Sequence, residues 1–278
     1  MGFPNLMMSS WWSIETPPFD PSLDLSLSYS RNTPFTWADV QDIDLTPDWN
    51  RMLIMYWENS VDQRLEQYDL WSPFNTTSMV TSHTFVMPSW VISSNRNSKA
   101  ARYWNNWNKL FYQVNTTMYS HDLTVAYDIS VRTNQQSIVI ARLSAFEFNS
   151  DWTKFIWTWV NNWAIYLYTL STAWDIMTAT LTYTNSTFTI TTSIEAITIS
   201  QDWLYMYASH YNWSTWTTSE RITRFDLWVS WDITTVTNTW LSFNPWLVYP
   251  PIFRYIESQD KWFFWNWYNQ LREYDVIS

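Results

Sequence analysis

The chain has 278 residues with 15 Lys+Arg against 25 Asp+Glu, a formal net charge of −10. Without a basic cluster it lacks the positive surface that phosphate binding needs, so nucleic acid is not an expected partner. The absence of cysteine excludes disulfides, thiolate zinc sites, iron–sulfur clusters and cysteine nucleophiles, while 46% hydrophobic residues supply a core for one large all-β domain or two ordinary ones.

The opening "MGFPNLMMSS" has neither the basic n-region nor the apolar run of a secretory signal, and residues 1–15 are expected to be irregular. No segment approaches the roughly 18 apolar residues of a membrane span, so membrane insertion is not expected. Next comes "TPPFDPSLDLSLS", a segment that resembles later outer strands but has no blade before it. A first unit, residues 30–80, then carries a polar turn ("TPDWN"), an alternating apolar strand ("RMLIMYW"), the closing triplet Tyr68-Asp69-Leu70 and an outer segment "SPFNTTSMV". The second unit, 81–140, repeats the order with the degenerate turn "YWNNWNK", the strand "KLFYQV" and Tyr127-Asp128-Ile129, but has no outer signature. Unit three, 141–181, reads "NSDWT", "KFIWTWV", Tyr168-Thr169-Leu170 and "TAWDIMTATL". Unit four, 182–238, reads "SQDWL", "LYMYASH", Phe225-Asp226-Leu227 and "VSWDITTVT". The fifth, 239–278, reads "SQDKW", "FFWNWY" and Tyr274-Asp275-Val276, and it stops without an outer segment.

A spacing of about 40–60 residues is that of four-stranded propeller blades. The expected fold is therefore all-β, a five-bladed β-propeller of four-stranded antiparallel blades spanning residues 16–278. The unmatched ends predict that residues 16–26 join the last blade as its outer strand, which closes the ring and covers a sheet edge. Two β-sandwiches would need a Pro- or Gly-rich linker near the middle, and none is present.

One conflict runs through this pattern. Average usage of about 7% Gly predicts roughly 19 glycines at this length, whereas the chain has 1 Gly and 24 Trp. Hairpin turns need φ > 0 at a central position, which Gly meets freely and Trp meets at a cost of about 1–2 kcal/mol. Trp49, Trp152, Trp203 and Trp262 are read at such turns. The letters fit a gene that encodes glycine with UGA, as some bacterial lineages and their viruses do, translated by a table that reads UGA as tryptophan. Trp174 and Trp231 stand where Phe19 and Phe74 stand in the other outer segments, and are expected to be genuine tryptophan.

With glycine restored at the turns, Phe148 to Ile156 and Tyr168 to Ile176 resemble the repeat of bacterial and phage β-propellers built from "F-S-P-D-G-T-K-M-Y-V" and "Y-D-L-S-T-P-W-D-I-S-T-A", akin to the YVTN and WD40 groups. That resemblance implies the fold and no single activity.

The turn aspartates Asp48, Asp151, Asp202 and Asp260 recur at one place in every blade, so their expected role is to cap the turn rather than to bind calcium or act as paired acids. The recurring Asp69, Asp128, Asp226 and Asp275 are expected to take a structural hydrogen bond from a neighbouring loop. No catalytic constellation, P-loop or dinucleotide fingerprint is readable, and nothing in the spacing of His83, His121 and His210 builds a metal site. No cofactor is expected. Two extended b–c loops, 115–121 and 209–220, would place Tyr119, His121, Tyr211 and Asn212 on one face of the disc as a contact surface. The function expected is a non-enzymatic module, exposed on a cell or a virion, that binds protein or glycan through one face, as a monomer or as part of a larger assembly. The competing expectation is a propeller hydrolase or lactonase with its site at the channel mouth.

Overall fold

The computed structural model describes residues 28–34, 39–46, 50–58, 62–71, 79–87, 100–103, 108–114, 116–140, 145–159, 162–185, 193–200, 204–211, 221–227, 232–243, 252–256, 261–266 and 270–275. Alternating apolar strands separated by polar turns produce twenty β-strands among the described residues, β1 to β20. They form five four-stranded antiparallel sheets. Four follow chain order: β2 (Asp39–Leu45), β3 (Arg51–Glu58), β4 (Asp62–Leu70) and β5 (Met79–Val86); β6 (Ala101–Tyr103), β7 (Lys109–Val114), β8 (Thr117–Leu123) and β9 (Arg132–Val139); β10 (Ala145–Phe148), β11 (Lys154–Trp159), β12 (Asn162–Leu170) and β13 (Ala179–Asn185); β14 (Ser193–Ile199), β15 (Tyr205–Tyr211), β16 (Arg221–Leu227) and β17 (Val236–Phe243). In the remaining sheet β18 (Ile252–Ile256), β19 (Lys261–Asn266) and β20 (Gln270–Asp275) are completed by β1 (Ser28–Pro34), which pairs with β20 from Ser28↔Asp275 to Pro34↔Gln270.

This arrangement corrects the expected closure. The predicted segment 16–26 lies outside the described residues, and the strand that pairs with the last sheet is Ser28–Pro34, part of which had been assigned to the first blade. The first blade therefore begins with Asp39. The physical reason is that outer strands face solvent and need little apolar alternation. β5, β9 and β13 are mostly exposed or half-buried, so hydrophobic pattern is a weak guide to which N-terminal stretch fills that place.

In β3, β7, β11 and β15 both faces are buried, and alternate residues serve opposite neighbours. Leu53 and Met55 pack with Leu110 and Tyr112 of the next sheet, whereas Met52, Ile54 and Tyr56 pack with Phe263 and Leu271. Phe111 joins Phe146, Phe155 and Trp157, and Ile156 in turn joins Ile197, Met206 and Phe225. The first strands surround the axis: β2 lies against β6 and β18, and β14 against β10 and β18.

The turn positions differ from expectation in detail. Leu70, Leu123, Leu170 and Leu227 donate their N–H to the carbonyls of Asn50, Asn108, Thr153 and Leu204, which fixes the equivalent residues between blades. In the second blade the strand-ending triplet is therefore His121-Asp122-Leu123. Tyr127-Asp128-Ile129, the triplet expected from the sequence, belongs instead to the following turn and supplies the outer signature that the sequence pattern does not show for this blade. A histidine in the Tyr/Phe position hid the match. Trp262 is also corrected: it lies within β19 opposite Tyr255 and Tyr274, not in a turn.

Candidate functional site

Two arrangements of polar chemistry emerge from this frame. The first is on the axis. Asp44, Arg102, Glu147, Thr198 and Arg254 occupy one register, opposite Leu53, Phe111, Ile156, Tyr207 and Phe263 respectively. Arg254 donates to Asp44 Oδ1 from Nη2 at 2.9 Å and from Nε at 3.2 Å, to Glu147 Oε2, and to Thr198 Oγ1 at 3.4 Å. Arg102 Nη1 donates to Asp42 Oδ2, and its Nε lies 3.5 Å from Glu147 Oε2. The backbone N–H groups of Ala101 and Tyr103 donate to Asp42 and Asp44, each at 2.8 Å. Burial pushes the Asp42 carboxyl up to about 6 although Arg102 and Arg254 pull it down. Burial also works against the charge on Arg254, but Glu147 and Asp44 outweigh it and raise its pKa. Three acids and two guanidiniums on four strands, with Thr198 from the fifth, thus pair with one another, although Arg102 Nε makes no hydrogen bond, and their chemistry is that of a plug that ties the sheets together.

The second is a cleft of about 320 Å³ lined by Phe85 of β5, Tyr112 of β7, His121 of β8, and Arg132, Asn134 and Gln135 of β9. Tyr112 is flanked by Tyr119 on one side (5.2 Å, 15°) and by His121 on the other (5.6 Å, 9°). Phe85 stands edge-on to Tyr112 at 5.8 Å and to His121 at 6.2 Å. The Arg132 guanidinium lies 3.5 Å from the centre of the Phe85 ring. Burial, with a smaller contribution from Arg132, pushes the His121 imidazole down to about 4, so the ring is neutral at pH 7; its Nε2 lies 3.1 Å from the Tyr112 hydroxyl.

The sequence-predicted residues are placed as follows. Tyr119 and His121 are close through Tyr112, but they lie on a strand: β7 and β8 are joined by a two-residue hairpin, Val114↔Thr117, not by a long loop. Both are buried, at 7% and 6% exposure, so His121 forms the floor of the cleft. Tyr211 pairs with Ser193 in the fourth blade, and Asn212 lies outside the described residues. Phe85, Tyr112 and Arg132 were missed, because two are ordinary core letters and the third lies in an outer strand without a motif. Asp151 Oδ1 accepts from Thr153 N at 3.0 Å and Thr153 Oγ1 at 2.6 Å; Asp48, Asp202 and Asp260 lie outside the described residues. Asp69 and Asp226 meet Arg51 (3.3 Å) and Arg224 (3.1 Å) of their own sheets rather than a neighbouring loop. His83 lies 3.5 Å from Asp128, and among the described residues no three His, Cys, Asp or Glu side chains gather as metal ligands would.

No protein-family model matches the sequence, and no curated protein matches it. Solved structures do. The β-propeller domain of Myceliophteria thermophila Cps50 (Swd1) is 12% identical, with 87% of this chain and 71% of that one covered at a TM-score of 0.48. A protein of unknown function from Desulfotomaculum acetoxidans is 14% identical, with 86% and 71% covered at 0.49. A Bacteroides uniformis protein provisionally described as a 6-phosphogluconolactonase is 10% identical, with 80% and 62% covered at 0.50. At these identities the likeness concerns the fold alone, and together with the sheet topology it makes the chain a β-propeller.

Proposed function

We propose that this β-propeller is a non-enzymatic binding module, exposed on a cell or virion surface, that takes a protein or glycan ligand in the cleft between its first two blades. The observation that carries this reading is the cleft itself: a concave aromatic floor and wall rimmed by Arg132, Asn134 and Gln135, the mixture that small ligand sites use. The axial acids support it from the other side. Each is held by an arginine, so none of these three is the free carboxylate that a hydrolase base requires. A broad glycan array and capture from the native host, each run with wild-type protein and with Phe85→Ala, test the proposal. Loss of a bound species in Phe85→Ala supports it, and a wild-type protein that retains neither glycan nor partner refutes it.

Most tryptophan letters are part of the same reading, as glycine encoded by UGA. Trp152 has φ 58°. The carbonyls that accept from the strand-ending leucines belong to Asn50, Asn108, Thr153 and Leu204, and the residue before each is Trp49, Trp107, Trp152 and Trp203. The position that is left-handed in the third blade thus aligns with the same improbable letter in the first, second and fourth. Trp174 also has a positive φ, 72°, but its equivalent in the second blade is Tyr127 at 61°, an aromatic whatever the code. Tandem mass spectrometry of the native protein should find glycine at 152 and tryptophan at 174. Tryptophan at 152 would overturn the recoding.

A further inference from the structure

The cleft contains a cation that meets no carboxylate among the described residues. Among the arginines whose side chains are described, Arg51, Arg64, Arg102, Arg224 and Arg254 each meet a carboxylate. Arg132 meets none. Its contacts are the Phe85 ring, at 3.5 Å to the centroid, and the carbonyl of Ile129, to which Nη1 donates. Burial pushes its pKa down, the mark of a charge partly withdrawn from water. Both acids of the same hairpin are already taken: Lys109 Nζ lies 2.5 Å from Asp122 Oδ1 and Asn134 Nδ2 donates to Asp122 Oδ2 at 2.8 Å, while Asp128 accepts from Ser130 and lies 3.5 Å from His83. His121, beside Arg132, is neutral at pH 7 and adds no negative charge.

The backbone widens the cleft at the same place. The register of β8 on β9 slips between Ser120 and Asp122, so that Asn134 and Gln135 bulge out opposite His121, with Asn134 at φ 48°. Asn134 has its amide N–H engaged and its carbonyl oxygen open, and Gln135 is exposed. Amide groups of this kind accept from and donate to hydroxyls, and a guanidinium stacked on a ring keeps its edge open for two parallel bonds to a carboxylate.

Resting on the binding reading above, we infer that the cleft between blades one and two selects a saccharide bearing a carboxylate, with the acid on Arg132 and the hydroxyls on Asn134 and Gln135. A carboxylate there supplies the missing counter-charge, whereas a neutral sugar of the same shape leaves the guanidinium uncompensated. The volume suits one sugar ring rather than a folded partner's surface.

The test is titration of the full chain with matched pairs, glucuronate against glucose and galacturonate against galactose oligosaccharides, followed by calorimetry or ligand-observed NMR at two salt concentrations. The acidic member should bind tenfold or more tightly and weaken with salt. Arg132→Gln should reduce it to the level of the neutral sugar, and Arg132→Lys, which keeps the charge but not the fork, should retain an intermediate part. Thermal melts of both variants control for folding, and Arg132→Lys keeps the test valid if Arg132→Gln does not fold. Equal binding of acidic and neutral sugars, with Phe85→Ala abolishing both, overturns the inference and leaves the binding reading standing. Binding of an acidic peptide but of no sugar overturns the saccharide assignment, and failure of every saccharide does the same.

Discussion

Arg254→Met is the sharpest probe of what holds the five sheets around their axis. Methionine keeps an unbranched stem in the same space and removes every donor. Asp44 Oδ1 would lose two bonds and Glu147 Oε2 one, with Arg102 Nε at 3.5 Å as the remaining cation near Glu147. The Asp44 and Glu147 side chains are only 9% and 14% exposed, so water cannot replace what is lost. Breaking a buried pair from one side costs about 3–5 kcal/mol, against a total stability of roughly 5–15 kcal/mol. At about 2–4 °C per kcal/mol for a chain of this size, the melting temperature should fall by roughly 6–20 °C. Urea denaturation followed by circular dichroism measures the loss directly. The cycle with Glu147→Gln separates the network from packing: the double variant should recover at least about 1 kcal/mol, because the orphaned carboxylate is gone. A loss below about 1 kcal/mol in Arg254→Met, or strict additivity in the cycle, would show that the axial charges do not act as a unit.

Three further outcomes follow from the local chemistry. His121→Phe places in the second blade an aromatic like that of the others, and it should change the acid limb of stability. The folded imidazole refuses a proton that the unfolded one accepts, so wild-type stability is lost as pH falls from about 6.5 to about 4, by at most about 3 kcal/mol. Asp42 acts in the opposite sense: raised to about 6, it holds its proton in the fold and adds stability as pH falls from about 6 towards 4. His121→Phe should therefore gain on wild type across that window, and parallel pH curves would contradict the burial assigned to His121. Asp151→Ala removes the two bonds from Thr153 at the third-blade turn and should cost about 1 kcal/mol in chemical denaturation; an unchanged midpoint would mean that Asn149 alone holds the turn.

The β-propeller class was legible because a turn, an apolar strand and an aromatic-Asp-aliphatic triplet recur in order. Blade two was misread where His121 takes the aromatic place, and the closing strand where β1, an outer strand, carries no pattern that burial would impose. The axial ring was illegible for a different reason. Asp44, Arg102, Glu147, Thr198 and Arg254 share a register and no letter, so only alignment on the turns brings them together. A usable signal existed beside them: Thr46, Asn149 and Ser200, two residues after ring positions, are each buried and each accept the backbone N–H five residues on, at 3.0, 2.8 and 2.9 Å. The aspartate repeats in more blades but is the more exposed cap, Asp151 being exposed where Asn149 is 6% exposed.

The tryptophan question bears unequally on these conclusions. At Trp152 the indole is 8% exposed and lies on Phe148 at 4.5 Å and Phe111 at 5.7 Å, so the chain as written spreads apolar contact around a strained backbone position. The same conformation at the aligned letters Trp49, Trp107 and Trp203 would bring the cost, at about 1–2 kcal/mol each, to about 4–8 kcal/mol, which is comparable with the whole stability of a domain. Glycine removes that cost and leaves Phe111, Phe148 and Phe155 to close the inter-blade core among themselves. Neither the axial ring nor the cleft includes a tryptophan: their side chains are Asp, Arg, Glu, Thr, Phe, Tyr, His, Asn and Gln. The chemistry assigned to both is therefore the same under either genetic code, and the code decides only how the turns that carry them are built.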